Sequence, residues 1–97
     1  MGMYNPPHPG EFIREVYLEP FHLSARQVAA KLKVSPSTFH RVLNGDSGVT
    51  PEMALRLAKT LGRSPESWLA MQHNHDLWQA RQRMNLQEVE KLELPAA

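Results

Sequence analysis

The sequence has no cysteine, no glycine-rich loop and no long apolar run, and each absence removes a class of protein. Without thiols there is no disulfide framework and no thiolate metal site, which fits a reducing cytoplasm. No stretch approaches the ~18 consecutive apolar residues of a membrane span, so no membrane partner is expected. The opening MGMYNPPHPGEF lacks a basic segment followed by an apolar one, so no secretory signal is expected and the location is read as cytoplasmic. Catalytic constellations are missing too: there is no Ser/His/Asp arrangement and no metal-spaced pair of carboxylates. His73-Asn74-His75 looks suggestive, but residues two apart point to different faces of a helix and cannot share a metal. Neither enzyme activity nor a cofactor, a metal or a small-molecule ligand is expected.

What is present suits one folded domain. The 97 residues are 41% apolar and 22% charged, ordinary proportions for a chain with a single modest core. The net charge is only +1, yet it is unevenly spread. Between Ser24 and Arg63 there are seven cations and two carboxylates, a net of +5; the remaining residues hold four against eight, a net of −4. A basic middle between acidic ends points to one face for a polyanion, against the alternative of chance scatter in a short chain.

Three dipeptides punctuate the chain: Ser35-Pro36, Thr50-Pro51 and Ser64-Pro65. A hydroxyl accepts from a free amide at a helix start, and proline fits the first helical position, where its missing N–H is no loss. Glu52 and Glu66 follow, where the helix dipole favours negative charge. Gly45 and Gly62 supply matching stops in the left-handed conformation. An earlier helix is expected from Pro9, with Phe12, Ile13, Val16 and Tyr17 inward, ending before Pro20. Ser24 and Gln27 form an S-x-x-Q capping box ahead of Val28, Ala29 and Leu32. The fourth helix turns Met53, Ala54, Leu57, Ala58 and Leu61 inward, and the fifth runs from Pro65 to about Arg83 with Trp68, Leu69, Leu77 and Trp78. No segment alternates with period two, so the predicted fold is all-α with five helices. Residues 1–8 are expected to be extended and 9–83 to form the domain. In 84–97, Leu86, Val89 and Leu92 recur at threefold spacing among acids, as a frayed helix or a tail that orders on binding.

The second and third helices, separated by only Lys33-Val34-Ser35, have helix-turn-helix proportions. Val28, Ala29 and Leu32 face Val34, Phe39 and Val42, and small Ala29 suits the crossing. The stretches HPGEFIREVYLEPFHLS, VAAKLKVSPSTFHRVLNG, TPEMALRLAKTLGRSPESWLAMQ and HDLWQ also resemble the HigA-type antitoxins of the lambda-repressor-like helix-turn-helix class. The resemblance covers about residues 7–81. It implies a compact lambda-repressor-like domain that binds operator DNA as a homodimer, represses its own operon and neutralises a HigB-type toxin, an mRNA-cleaving RNase. Ala25 departs from the pattern, standing where a phosphate-contacting Gln is common. Lys33 also departs, standing where the turn usually has Gly.

In such a motif the start of the second helix enters the major groove. Small Ser37 and Thr38 permit close approach to base edges, Arg41 suits guanine, and Asn44 suits adenine or a phosphate. Arg26, Gln27, Lys33, Ser35 and His40 are the candidates for phosphate contacts. Simple capping is the alternative for Ser37 and Thr38, and a solvated charge for Arg41. Trp68 is expected in the core, while Met71, Leu77 and Trp78 are candidates for a dimer seam. Two other functions stay open: a stand-alone repressor without a toxin, and an interaction module that no longer binds DNA.

Overall fold

Every helix of the computed structural model, which describes residues 5–96, begins at a proline or directly after a capping serine. The helices are α1 over 9–21, α2 Ala25–Leu32, α3 Pro36–Leu43, α4 Pro51–Leu61 and α5 Pro65–Arg83, with no strand among the described residues. All three hydroxyl-proline starts form as expected. The Thr38 N–H donates to Ser35 Oγ at 3.1 Å, that of Met53 to Thr50 Oγ1 at 3.2 Å and that of Ser67 to Ser64 Oγ at 3.0 Å. Such caps contribute about 1 kcal/mol each. At α2 both arms of the capping box are made, Gln27 N–H to Ser24 Oγ at 3.1 Å and Ser24 N–H to Gln27 Oε1 at 2.8 Å. Among the described residues no helix is long and apolar enough to cross a membrane.

Two expectations for α1 are corrected. It does not stop before Pro20: it opens as Pro9–Ile13, widens into a π-helical stretch, Arg14–Leu18, and closes with the turn Glu19–Phe21 before His22 turns left-handed at φ 55°. In a regular helix the Pro20 ring would strike the carbonyl four residues back. Here the Glu19 N–H reaches the Arg14 carbonyl, five residues back, and the wider turn admits the ring. The extra residue in that turn also rotates the inward face. Leu18 is 6% exposed, whereas Val16, expected inside, is 41% exposed. The start of α1 holds a cap the sequence did not advertise, with the Gly10 N–H donating to His8 Nδ1 at 2.9 Å.

The core gathers Ile13, Leu32, Phe39, Leu57 and Trp68, all fully buried, from all five helices. Trp68 is the centre of an aromatic group, with Phe12 edge-on at 5.9 Å and Tyr17 tilted at 6.2 Å. Its Nε1–H donates to the Gly62 carbonyl at 2.9 Å, so the large ring is buried with its polar atom satisfied. Gly45 has the positive φ expected of a helix stop, 80°. Gly62 also has positive φ, 103°, but its ψ of −169° is extended rather than left-handed helical, which is a correction to the expectation. Residues 84–96 are exposed and form no helix; their threefold apolar spacing yields only a turn, closed by Val89 N–H on the Leu86 carbonyl at 3.0 Å. A short helix with no surface to pack against is marginal in water. Of the segment expected to be extended, 5–8 has no regular structure and 1–4 lies outside the described residues.

Candidate nucleic-acid interface

α3 has one buried and one open side. Phe39, Val42 and Leu43 are 0 to 4% exposed, while Ser37, Thr38, His40, Arg41 and Asn44 all face solvent. The helix is held from both sides. Behind it, α2 packs through Val28, Ala29 and Leu32, the last two 0 and 2% exposed. Lys33 makes the turn between them at φ 62°, ψ 43°, its N–H directed at the Ala29 and Ala30 carbonyls. A lysine therefore adopts the conformation that glycine reaches more easily. On the other side α1 lies against α3 with their backbones in contact. A Cβ built on Gly10 would sit 2.2 Å from the Val42 carbonyl oxygen and 2.6 Å from that of Leu43.

The hydroxyls at the start of α3 are already organised. Ser35 Oγ donates to Thr38 Oγ1 at 2.8 Å and lies 3.2 Å from Ser37 Oγ, while also accepting the Thr38 N–H. Capping and an exposed polar tip thus occur together here, with Ser35 as the cap and Ser37 and Thr38 arranged around it. Asn44 Oδ1 accepts from Arg14 Nη2 at 2.7 Å. This occupies one of the two lone pairs on the Asn44 oxygen, so the side chain keeps its amide N–H groups and one acceptor position for a phosphate or a base edge. Arg14 is brought to the edge of this face by α1, and no signal in the sequence marked it. Arg26 and Gln27 are exposed at the start of α2, and since Gln27 Oε1 is held by the capping box, its donors are what remain for an anion.

Past α3, the loop is fixed to the rest of the domain. Asp46 and Ser47 N–H groups donate to the Arg41 carbonyl at 2.8 and 3.0 Å. Gln72 of α5, 5% exposed, accepts the Val49 N–H at 2.8 Å and donates from Nε2 to Asp76 at 2.9 Å. Arg56 of α4 donates to the Leu32 carbonyl at 2.7 Å, placing a cation at the end of α2, where the helix dipole favours one. His8 meets His75 edge-to-face at 5.2 Å, and His75 Nδ1 lies 3.0 Å from the Pro6 carbonyl. Burial, and then the nearby charge of His75, lower the His8 pKa below its ordinary value of 6.5. Its acceptor role toward Gly10 needs the same neutral ring.

Of the seam candidates, Met71 is partly buried against the core and Trp78 half-buried, two turns apart on one stripe of α5. Leu77 lies about 100° around that helix and is 50% exposed. Trp78 Nε1 is buried with no hydrogen-bond partner among the described residues.

The helix-turn-helix domain family matches residues 22–68 of this chain. Virulence-associated protein I of Dichelobacter nodosus is 45% identical over 75 residues, 77% of this chain and 69% of the relative. Antitoxin HigA-1 of Vibrio cholerae is 36% identical over 76% of this chain and 70% of its own length. The solved antitoxin GraA in complex with its operator superposes with a TM-score of 0.85 at 35% identity, covering 94% of this chain and 95% of GraA. The chain belongs to the HigA-type antitoxin family of helix-turn-helix proteins. Its all-α, five-helix fold is that of the family, and the family is not enzymatic. In this HigA-type fold, Ala54-Leu55-Arg56-Leu57-Ala58 is a structural stretch: its buried members pack under α2 while Arg56 caps that helix.

Proposed function

We propose that this HigA-type protein binds operator DNA upstream of its own gene as a homodimer, represses that operon and neutralises a HigB-type toxin. The observation that carries the DNA reading is the division of α3 into a fully buried side and an exposed polar tip pre-arranged by Ser35. Residues 9–83 are the DNA-binding unit in this proposal, with 84–97 outside it. Ser37, Thr38 and Arg41 meet base edges; Arg26, Gln27, Lys33, Ser35, His40 and the free amide of Asn44 meet phosphates. Two reading helices enter successive major grooves about 34 Å apart, which requires a dimer. Half-buried Trp78 and exposed Leu77 on the outer part of α5 support a seam there. The acids of α1, Glu11, Glu15 and Glu19, are exposed and suit a basic toxin surface.

The test is fluorescence anisotropy with DNA from just upstream of the gene against a scrambled duplex, across a salt series. A preference of roughly a thousandfold with a salt slope of several units supports an operator binder. Equal, weak affinity for both duplexes rejects it. Co-purification with the product of a neighbouring small reading frame tests the toxin half; absence of a complex leaves a stand-alone repressor.

A further inference from the structure

A groove of about 730 Å³ lies between the end of α2 and the outer face of α4, lined by Lys31, Lys33, Leu55, Arg56, Lys59 and Thr60. No residue of α3 contributes to it, so it is separate from the reading face. Its floor includes Leu55, which is 60% exposed on a helix whose other leucines are buried or partly so. Four of its lining residues are cations and none is a carboxylate. Arg56 is committed to the carbonyls at the end of α2 and Lys33 is assigned above to a phosphate, which leaves the Lys31 and Lys59 ammonium groups to face an occupant.

The same chain carries a segment of the opposite character. Between Leu86 and Leu94 it alternates apolar and acidic residues: Leu86, Val89, Leu92 and Leu94, 60 to 75% exposed, among Glu88, Glu90 and Glu93. Three carboxylates against one cation, Lys91, complement a groove of cations, and the apolar members match Leu55. We propose that this groove is the docking site for residues 86–94 of a second copy of the chain, with its leucines on Leu55 and its glutamates toward Lys31 and Lys59.

A second copy fits better than the chain's own tail because of where the tail departs. α4 and α5 form a hairpin around Gly62–Ser64, so Lys59 and Thr60 lie near the start of α5. The 19 residues of α5 carry Met84 to the opposite end, about 28 Å away. Met84 leaves the helix in an extended conformation, and the tail is exposed throughout instead of turning back along the body. The molecule is 56 Å long against 29 and 24 Å in its other dimensions. The inference rests on the homodimer proposed above and adds an exchange of arms to it.

The absence of cysteine makes a clean experiment possible. A nitroxide is attached at Ala96→Cys, just past the docking segment, and this copy is mixed with an unlabelled-tail copy enriched in nitrogen-15. The expected result is loss of amide signal at Leu55, Arg56 and Lys59 of the isotope-enriched copy. Lys31→Glu with Lys59→Glu in that copy restores the signal, and Glu90→Lys with Glu93→Lys in the nitroxide copy brings the loss back. All four positions are exposed, so the fold is retained, as the spread of amide shifts will show. Signal loss that ignores the charge reversals overturns the proposal, as does loss seen only when nitroxide and isotope share one chain. Sedimentation separates the two levels of failure: a monomer rejects both the homodimer and the exchange, whereas a dimer without the signal loss rejects the exchange alone.

Discussion

Replacing Gly10 with alanine inside a helix would ordinarily stabilise a protein by about 1 kcal/mol, because glycine is the poorer helix former. Here the sign reverses. The new Cβ falls 2.2 and 2.6 Å from two carbonyl oxygens of α3 and 2.7 Å from Leu43 Cα. Non-bonded heavy atoms are best placed at about 3.5–4.0 Å, so α1 and α3 must part by more than about 1 Å. Backbone atoms cannot swing aside as a flexible side chain does, and Phe39, Val42 and Leu43 lose packing when the helices separate. Overpacking typically costs about 1–3 kcal/mol. Taking the upper end and subtracting the propensity gain leaves a loss of about 2 kcal/mol. For a domain of this size that is a fall in Tm of roughly 8–16 °C, readable by circular dichroism. Operator affinity will fall with it, since the displaced element is the helix proposed to enter the major groove. A Tm that holds or rises with Gly10→Ala refutes the backbone contact between α1 and α3.

Arg41→Ala will weaken operator binding by about 1–3 kcal/mol, roughly 5- to 150-fold, while affinity for a scrambled duplex changes little; an equal loss on both duplexes would reassign Arg41 to a phosphate. Lys33→Gly will raise unfolding stability by about 1 kcal/mol in urea titration, because it relieves a left-handed lysine. If Lys33 touches a phosphate, the same variant lowers the salt slope of DNA binding by about 1. Gln72→Leu will destabilise by about 1–3 kcal/mol by stranding the buried Val49 N–H, and a wild-type Tm would show that water takes over. His8 holds its pKa below 6.5 in the folded state, so the unfolded chain binds the proton more readily and stability falls as pH drops from about 6.5 toward the folded pKa. His8→Asn keeps an acceptor at the start of α1 without titrating, and its urea midpoint will lose less between about pH 7.5 and about pH 5.5. An identical loss in both proteins would place the titration elsewhere.

What the sequence determined by itself is local chemistry with a one-residue or one-turn reach. Ser35-Pro36, Thr50-Pro51 and Ser64-Pro65 each start a helix because a hydroxyl cap and a fixed φ act within four residues, and Ser24 with Gln27 closes its box the same way. The short Lys33-Val34-Ser35 turn sets α2 and α3 at their angle, so the helix-turn-helix and the exposed polar side of α3 were legible in the sequence. Tertiary structure decided what depends on residues far apart in the chain. Pro20 carries the local signature of a stop, yet α1 widens into a π-helical stretch that admits its ring, buries Leu18 and leaves Val16 outward. Arg14 reaches Asn44 across 30 positions, Gln72 holds Val49 across 23, and Gly10 is required only because α3 presses against it. None of these has a local signature, since a glycine or a glutamine looks the same in sequence whether its partner is water or a backbone brought there by the fold.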